Sequence, residues 1–146
     1  MKIDLTLKEK MVFEGQCREH RFSMDASKTH GGDEQAPSPK EFLLSAMAGC
    51  TAMDVLSILR KMRIEPTSFR VEITGVLNDQ FPIHFVSTEL IFHINGDVAE
   101  KKAVKAITAS LTKYCGVNYM ASKTCDITYQ LFINGDDLGK GKANFN

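Results

Sequence analysis

The chain has 146 residues, and its charge is balanced, with 18 Lys or Arg against 18 Asp or Glu. This length is typical of one domain with a single hydrophobic core, so we expect residues 1–146 to form one domain. Zero net charge favours neither nucleic acid nor a membrane surface as a partner. Charges interrupt every short apolar run in the first ten residues, which is unlike a secretion signal, and we expect a cytoplasmic protein.

The first segment predicts a β-hairpin followed by a loop. Residues 4–13 and 16–24 are two extended runs with partial alternation of apolar and polar side chains, separated by Glu14-Gly15. We therefore place the hairpin turn at Glu14-Gly15. Residues 27–37 contain two glycines and a proline and have the composition of a loop.

A long apolar helix is predicted after this loop. Ser38 suits the N-cap, Pro39 the first helical position and Glu41 the acid of a capping box. The helix is expected to end near residue 62, where cations accumulate. Residues 42–59 resemble a membrane span in length, but Asp54 and several small polar residues favour a buried helix at the centre of the fold.

The second half of the chain predicts three more strands and one more helix. Residues 67–77 and 84–94 are rich in β-branched and aromatic side chains and flank a turn, which predicts a second hairpin. Asp97 is a candidate cap for a helix that runs to about residue 114. Residues 126–133 alternate like a last strand, and a glycine-rich tail is expected from Gly135. The order ββαββαβ predicts an α+β fold with largely antiparallel sheet.

The cysteines are the main candidates for chemistry. The chain has no C-x-x-C pair, so we expect reduced thiols rather than a disulfide framework. Only Cys17 and His20 have a spacing typical of zinc ligands, and we expect no metal and no cofactor. Each thiol taken alone is more typical of packing than of catalysis. The four positions are Cys17, Cys50, Cys115 and Cys125.

Cys50 has the more informative surroundings. Asp54 lies one helical turn further on, on the same face, where its charge disfavours the thiolate, so activation of Cys50 requires a cation. Arg18 and Arg21 in the first hairpin, with His30 in the following loop, are candidates for that cation. Glu41 precedes Cys50 by nine residues on the opposite side of the helix, so it would reach a thiol only across a subunit interface.

Two stretches resemble the OsmC/Ohr family of osmotically inducible and organic hydroperoxide resistance proteins. Residues 37–56, with the sequence PSPKEFLLSAMAGCTAMDVL, are similar to the cysteine helix of that family. Residues 113–117, KYCGV, are similar to its second cysteine motif, and the Asn-Gly at 134–135 falls where the family has it. The resemblance implies antiparallel sheets around a long central cysteine-bearing helix, in an intertwined homodimer with active sites near the subunit interface.

The same resemblance implies a thiol peroxidase that reduces small organic hydroperoxides in oxidative stress defence. Cys50 matches the peroxidatic thiol and Cys115 the resolving thiol, which would trap the Cys50 sulfenic acid as a disulfide. An external dithiol, of lipoyl type by resemblance, would then reduce that disulfide. Glu41, Arg18 and Arg21 are possible supporting residues.

Three departures place the chain closer to the OsmC-like branch than to the hydroperoxide-resistance branch. Lys40 follows the proline where that branch has Glu, Glu14-Gly15-Gln16 stands where it has an arginine in the hairpin turn, and Gly116 replaces a proline. These departures keep a second hypothesis open. The chain would then be a non-catalytic module of the same scaffold that binds an apolar or electrophilic small molecule.

Overall fold

The computed structural model describes residues 1–145, which form two compact units that divide between Leu43 and Leu44. The first unit contains an antiparallel three-stranded sheet in the order β1-β2-β3, a short 3-10 turn and the beginning of the long helix. Its elements are β1 (Asp4–Glu9), β2 (Val12–Cys17), β3 (His20–Met24), the turn Lys28–His30 and the first residues of α1 (Pro39–Lys61).

The predicted turn at Glu14-Gly15 is wrong, because both residues lie in the middle of β2. The chain turns before and after this strand instead, at Lys10 and Arg18, which adopt positive φ angles of 47° and 56°. Gly15 pairs with Phe22 on β3, and a Cβ at Gly15 would lie 2.3 Å from the Phe22 ring. The glycine therefore makes room for an aromatic ring rather than for a turn.

Helix α1 begins and ends where the sequence predicts. The backbone N–H of Ser38 donates to Glu41 Oε2 at 2.6 Å, and the N–H of Glu41 donates to Ser38 Oγ at 3.4 Å, which is a complete capping box. One face of the helix is buried, through residues at a spacing of four: Met47, Thr51, Val55 and Leu59.

The other faces of α1 are half-buried or exposed. Its length and composition alone would suit a membrane crossing, and only 22% of its most apolar window is buried. We expected other parts of the structure to enclose α1 on all sides. The rest of the chain covers only one face of the helix.

The second unit contains a four-stranded sheet in the order β4-β5-β6-β7. The predicted second hairpin and the strand at 126–133 are confirmed, and the fold is α+β as expected. Strands β5 and β6 are parallel, while the other two pairs are antiparallel. The elements are β4 (Ser68–Leu77), β5 (Phe85–Asn95), α2 (Glu100–Ala109), a π-helical turn (Ser110–Tyr114), α3 (Gly116–Ala121), β6 (Asp126–Ile133) and β7 (Asp136–Lys142).

Two local expectations fail in this unit. Helix α2 begins at Glu100 with Ala99 rather than Asp97 as its N-cap, because a turn at Gly96, with φ 119°, precedes it. The glycine-rich end of the chain forms β7, in which a Cβ at Gly141 would lie 2.4 Å from the ring of Tyr129. Glycine again makes room for an aromatic ring inside a strand.

The hydrophobic core of the second unit lies between the sheet and the helices. It combines the buried face of α1, inward-facing residues of β5 and β6, and the buried face of α2. The largest fully buried apolar side chains include Phe92, Met47, Leu59, Leu90, Ile107, Leu111 and Leu131. This core fixes the middle of α1 against the segment that follows α2.

Candidate active site

Two of the four cysteines meet in the second unit. Cys50 lies in the middle of α1, and Cys115 lies between the π-helical turn and α3. Both are free thiols, and their Sγ atoms and a carboxylate oxygen of Asp54 all lie within 4.8 Å of one another. Cys50 is half-buried, whereas Cys115 is 1% exposed.

The π-helical turn brings a second polar group to this site. The N–H of Cys115 donates to the carbonyl of Ser110, five residues earlier, at 3.0 Å. This wide turn places the Ser110 hydroxyl where it donates to Asp54 Oδ2 at 2.9 Å. Such turns occur mostly as single insertions in helices and often lie at functional sites.

Asn118 organises the other side of Cys115. Its backbone N–H and its Nδ2 both donate to Cys115 Sγ, at 3.4 and 3.3 Å, so the thiol caps the first turn of α3. Asn118 is fully buried, and its Nδ2 also contacts the Met47 carbonyl at 3.2 Å and the Thr51 hydroxyl. Its Oδ1 has no hydrogen-bond partner within residues 1–145. The asparagine therefore ties the second cysteine to the backbone of α1.

The surroundings of Cys50 disfavour its thiolate. Burial, together with the contact with Cys115 and the charge of Asp54, raises the pKa of Cys50 to about 11. The backbone N–H of Val117 opposes this effect and lowers the pKa. The charge of Asp54 acts on the thiol in the expected direction, although burial is the larger cause.

A groove opens beside Asp54 between the second half of α1 and the segment around the end of α2. Its volume is about 300 Å³. Apolar side chains and two cations line it, and its residues are Asp54, Ser57, Ile58, Lys61, Met62, Lys105, Ala109 and Tyr114. A small, partly apolar molecule would fit next to the carboxylate.

The predicted supporting residues all lie in the first unit. Glu41 is the capping-box acid of α1, and the Ser38 N–H keeps the pKa of its carboxyl below the ordinary value. Arg18 occupies the turn between β2 and β3, so an arginine does lie in a hairpin turn. Arg21 lies on β3, and its Nη1 is 4.0 Å from Glu14 Oε1. Their roles at a thiol remain predictions.

The remaining two cysteines have different surroundings. Cys17 ends β2, where it pairs in register with His20 across the turn. Cys125 is 6% exposed and belongs to the hydrophobic core, where burial raises its pKa.

Sequence reasoning missed three contributors to the site: Ser110, Val117 and Asn118. For Asn118 a signal exists, because it stands three residues after Cys115, the spacing at which a capping side chain meets a backbone N–H. The contact of Ser110 with Asp54 depends on the π-helical turn, which ordinary helical periodicity does not reveal.

Comparison with known proteins identifies the family. Residues 31–130 match the family model described as OsmC-like protein. Protein YhfA from Escherichia coli strain K12 is 35% identical over 123 residues, which cover 83% of this chain and 89% of that protein. The chain therefore belongs to the OsmC-like protein family.

Solved structures show the same fold. The OsmC-like protein from Mycoplasma pneumoniae superposes with a TM-score of 0.79 at 15% identity, covering 90% of this chain and 95% of that one. The organic hydroperoxide resistance protein OhrB of Bacillus subtilis superposes with a TM-score of 0.67 at 13% identity, covering 90% and 96%.

Proposed function

We propose that this protein is a two-cysteine thiol peroxidase that reduces small organic hydroperoxides in the cytoplasm. The observation that carries the proposal is the pair of reduced thiols, Cys50 and Cys115, whose sulfur atoms lie within 4.8 Å of each other although they come from distant parts of the chain. Family membership supports it, since some structural neighbours are named organic hydroperoxide resistance proteins.

The greater exposure of Cys50 supports its role in the first step. Cys50 is half-buried and Cys115 is buried, so a peroxide reaches Cys50 first. The Cys50 thiolate attacks one peroxide oxygen, an S–O bond forms as the O–O bond breaks, and the leaving alkoxide takes a proton to become an alcohol. The Val117 N–H, which favours the thiolate, faces the same sulfur.

The second step belongs to Cys115. Its sulfur attacks the Cys50 sulfenic acid, an S–S bond forms, and hydroxide leaves as water after taking up a proton. Formation of an S–S bond of about 2.0 Å requires the sulfurs to approach by less than about 3 Å. The two Asn118 donors hold the Cys115 sulfur on this side of α3. An external dithiol then reduces the disulfide by exchange and is itself oxidised.

The decisive experiment compares Cys50→Ser with Cys125→Ser. The reduced protein is mixed with one equivalent of cumene hydroperoxide, and consumption of peroxide and the disulfide-linked peptides are measured. We expect the parent and Cys125→Ser to consume peroxide and to form a Cys50–Cys115 disulfide, and Cys50→Ser to do neither. Equal consumption by Cys50→Ser would contradict the proposal.

One observation favours the alternative of a non-catalytic binding module. The pKa of about 11 at Cys50 leaves little thiolate at neutral pH. A thiolate absorbance titration separates the two functions. A midpoint near 11 in the purified protein, with no peroxide consumption at pH 8, would favour binding of a small molecule in the groove beside Asp54.

We also propose a homodimer, in which a second chain covers the exposed face of α1. Met53 on this face is 75% exposed, and a Cβ added at Gly49 would meet no atom within 4 Å. A Cβ at this position therefore fits the single chain, and by helix propensity we expect Gly49→Leu to stabilise the chain by about 1 kcal/mol. In a dimer packed on this face the same side chain collides with the partner. We expect sedimentation analysis to show a dimer for the parent and a monomer for Gly49→Leu; a dimeric Gly49→Leu would contradict this interface.

A further inference from the structure

The cluster of Cys50, Asp54 and Cys115 offers more than a redox pair. Two thiol sulfurs and one carboxylate oxygen lie within 4.8 Å of one another, and within residues 1–145 no other group of His, Cys and acidic residues with metal-binding geometry is found. We propose that the reduced protein binds one thiophilic divalent cation, Zn²⁺ or a metal of the same preference, through these three side chains.

The distances suit a tetrahedral ion. With Zn–S bonds of about 2.3 Å and a Zn–O bond of about 2.0 Å, neighbouring ligand atoms are separated by about 3.8 Å for two sulfurs and about 3.5 Å for sulfur and oxygen. The observed separations, at most 4.8 Å, therefore close with side-chain movements of about 1 Å. Three protein ligands leave the fourth position for water.

Groups around the three ligands already make the contacts that metal ligands require. Ser110 donates to Asp54 Oδ2 at 2.9 Å and so fixes the orientation of the carboxylate. Two N–H groups of Asn118 donate to Cys115 Sγ, and the Val117 N–H faces Cys50 Sγ. These donors compensate part of the negative charge that two metal-bound thiolates concentrate in one place.

A divalent cation would also neutralise the Asp54 carboxylate in this site. Two sulfurs and a carboxylate are held together in a partly buried site, and no lysine or arginine makes an ion pair with Asp54 within residues 1–145. A divalent ion replaces the two thiol protons, which leave as H⁺, so the step involves no oxidation. Sequence spacing gave no sign of this site, because Cys115 joins Cys50 and Asp54 only in the folded chain.

Cobalt provides the direct test. Co²⁺ is titrated into the anaerobically reduced protein, without hydroperoxide, and absorption is followed in the near ultraviolet, where thiolate-to-cobalt charge transfer occurs, and in the visible, where tetrahedral Co²⁺ absorbs. We expect saturation at one ion per chain and displacement by Zn²⁺. Cys50→Ser and Cys115→Ser are expected to lose the charge-transfer band, while Cys17→Ser and Cys125→Ser retain it.

Two further variants test the carboxylate and its support. Asp54→Asn is expected to bind at least about tenfold more weakly, and Ser110→Ala about tenfold more weakly. Absence of the band in the parent, or an unchanged band in either Cys50→Ser or Cys115→Ser, would overturn the site. Unchanged affinity in Asp54→Asn would overturn the three-ligand arrangement.

A measurement without substitution guards against misfolded variants. Zn²⁺ is expected to protect the half-buried Cys50 from iodoacetamide, as read by mass spectrometry, with the half-buried Cys17 as the internal control that stays reactive. Equal labelling with and without Zn²⁺ overturns the proposal. Because this test needs no peroxide, it is independent of the peroxidase proposal; peroxide consumption by the metal-free protein tests that function separately.

Discussion

Cys115 and Cys125 are both buried cysteines of the second unit, but their sulfur atoms make opposite kinds of hydrogen bond. Cys115 Sγ accepts from two N–H groups of Asn118. Cys125 Sγ contacts the Thr88 hydroxyl at 3.8 Å and the Asp126 carbonyl at 3.5 Å. A carbonyl oxygen only accepts, so Cys125 makes that contact as a protonated thiol.

Burial alone therefore does not distinguish the proposed resolving cysteine, Cys115, from the core cysteine, Cys125. Cys125 packs in the hydrophobic core, and burial raises its pKa, which keeps the thiol neutral. Cys115 faces Cys50 and Asp54 and has N–H donors on its sulfur. The hydrogen-bond partners of the sulfur, rather than its exposure, distinguish the two positions.

The largest expected effect is the loss of the resolving thiol. In Cys115→Ser, the Cys50 sulfenic acid has no partner thiol, so we expect trapping by dimedone and over-oxidation to sulfinic acid under excess hydroperoxide. Turnover with a dithiol reductant is expected to fall to a small fraction of the parent rate. Cys125→Ser is the matched control. The distinction between the two cysteines is wrong if both variants show the same dimedone trapping and over-oxidation in mass spectrometry and the same turnover.

The next largest expected effect is on the pH dependence of peroxide consumption. Since the pKa of Cys50 is raised to about 11, its thiolate fraction, and with it the rate of peroxide consumption, is expected to rise about tenfold per unit between pH 7 and pH 10. Asp54→Asn removes a negative charge that raises this pKa, so its midpoint shifts to lower pH and its rate at pH 8 increases. A rate already level at pH 7 in the parent would contradict the raised pKa.

Removal of the Asn118 side-chain donor to Cys115 is expected to have an intermediate effect on stability and on disulfide formation. Asn118→Ala leaves the Met47 carbonyl, the Thr51 hydroxyl and the Cys115 sulfur without this amide, and we expect the free energy of unfolding to fall by about 2 kcal/mol. Urea denaturation measures this change. We also expect formation of the Cys50–Cys115 disulfide to slow relative to the first oxidation step. Stopped-flow oxidation with peptide mapping measures the rates of the two steps separately. If the ratio of these rates is unchanged in Asn118→Ala, Asn118 does not position Cys115.

The smallest effect is expected at the structural cysteine. Cys125→Ala deletes one buried sulfur and leaves a small cavity, at a cost of about 1 kcal/mol in unfolding free energy and with no change in peroxide consumption. The comparison between the two cysteines would be wrong if this variant lost activity while remaining folded by circular dichroism.

Local sequence signals predicted much of the fold. The capping box of α1, the β4–β5 hairpin and β6 follow from residues close together in the chain. The errors arose where a side chain on the neighbouring strand decides the local structure. Gly15 and Gly141 were predicted as turn and tail residues, but each lies in a strand under the aromatic ring of its paired residue.

The contacts of the candidate site also fall into two groups, those visible in the sequence and those that depend on the tertiary fold. The helical period places Asp54 on the face of Cys50, and this relation is visible in the sequence. The approach of Cys115 was expected only from family resemblance. The contact of Ser110 with Asp54 and the links from Asn118 to α1 depend on the tertiary fold and on a π-helical turn, and no pattern of residue types announces them.

Because the Cys115 sulfur caps α3, the chemical state of that sulfur is coupled to the backbone of Gly116–Ala121. In the proposed disulfide, the bond to Cys50 would draw the sulfur toward α1, and the first turn of this six-residue helix would lose the acceptor of its Asn118 N–H. Amide hydrogen exchange at Asn118 then becomes a label-free reporter that distinguishes the dithiol from the disulfide. This six-residue helix would thus record the oxidation state of a thiol pair that spectroscopy otherwise detects poorly.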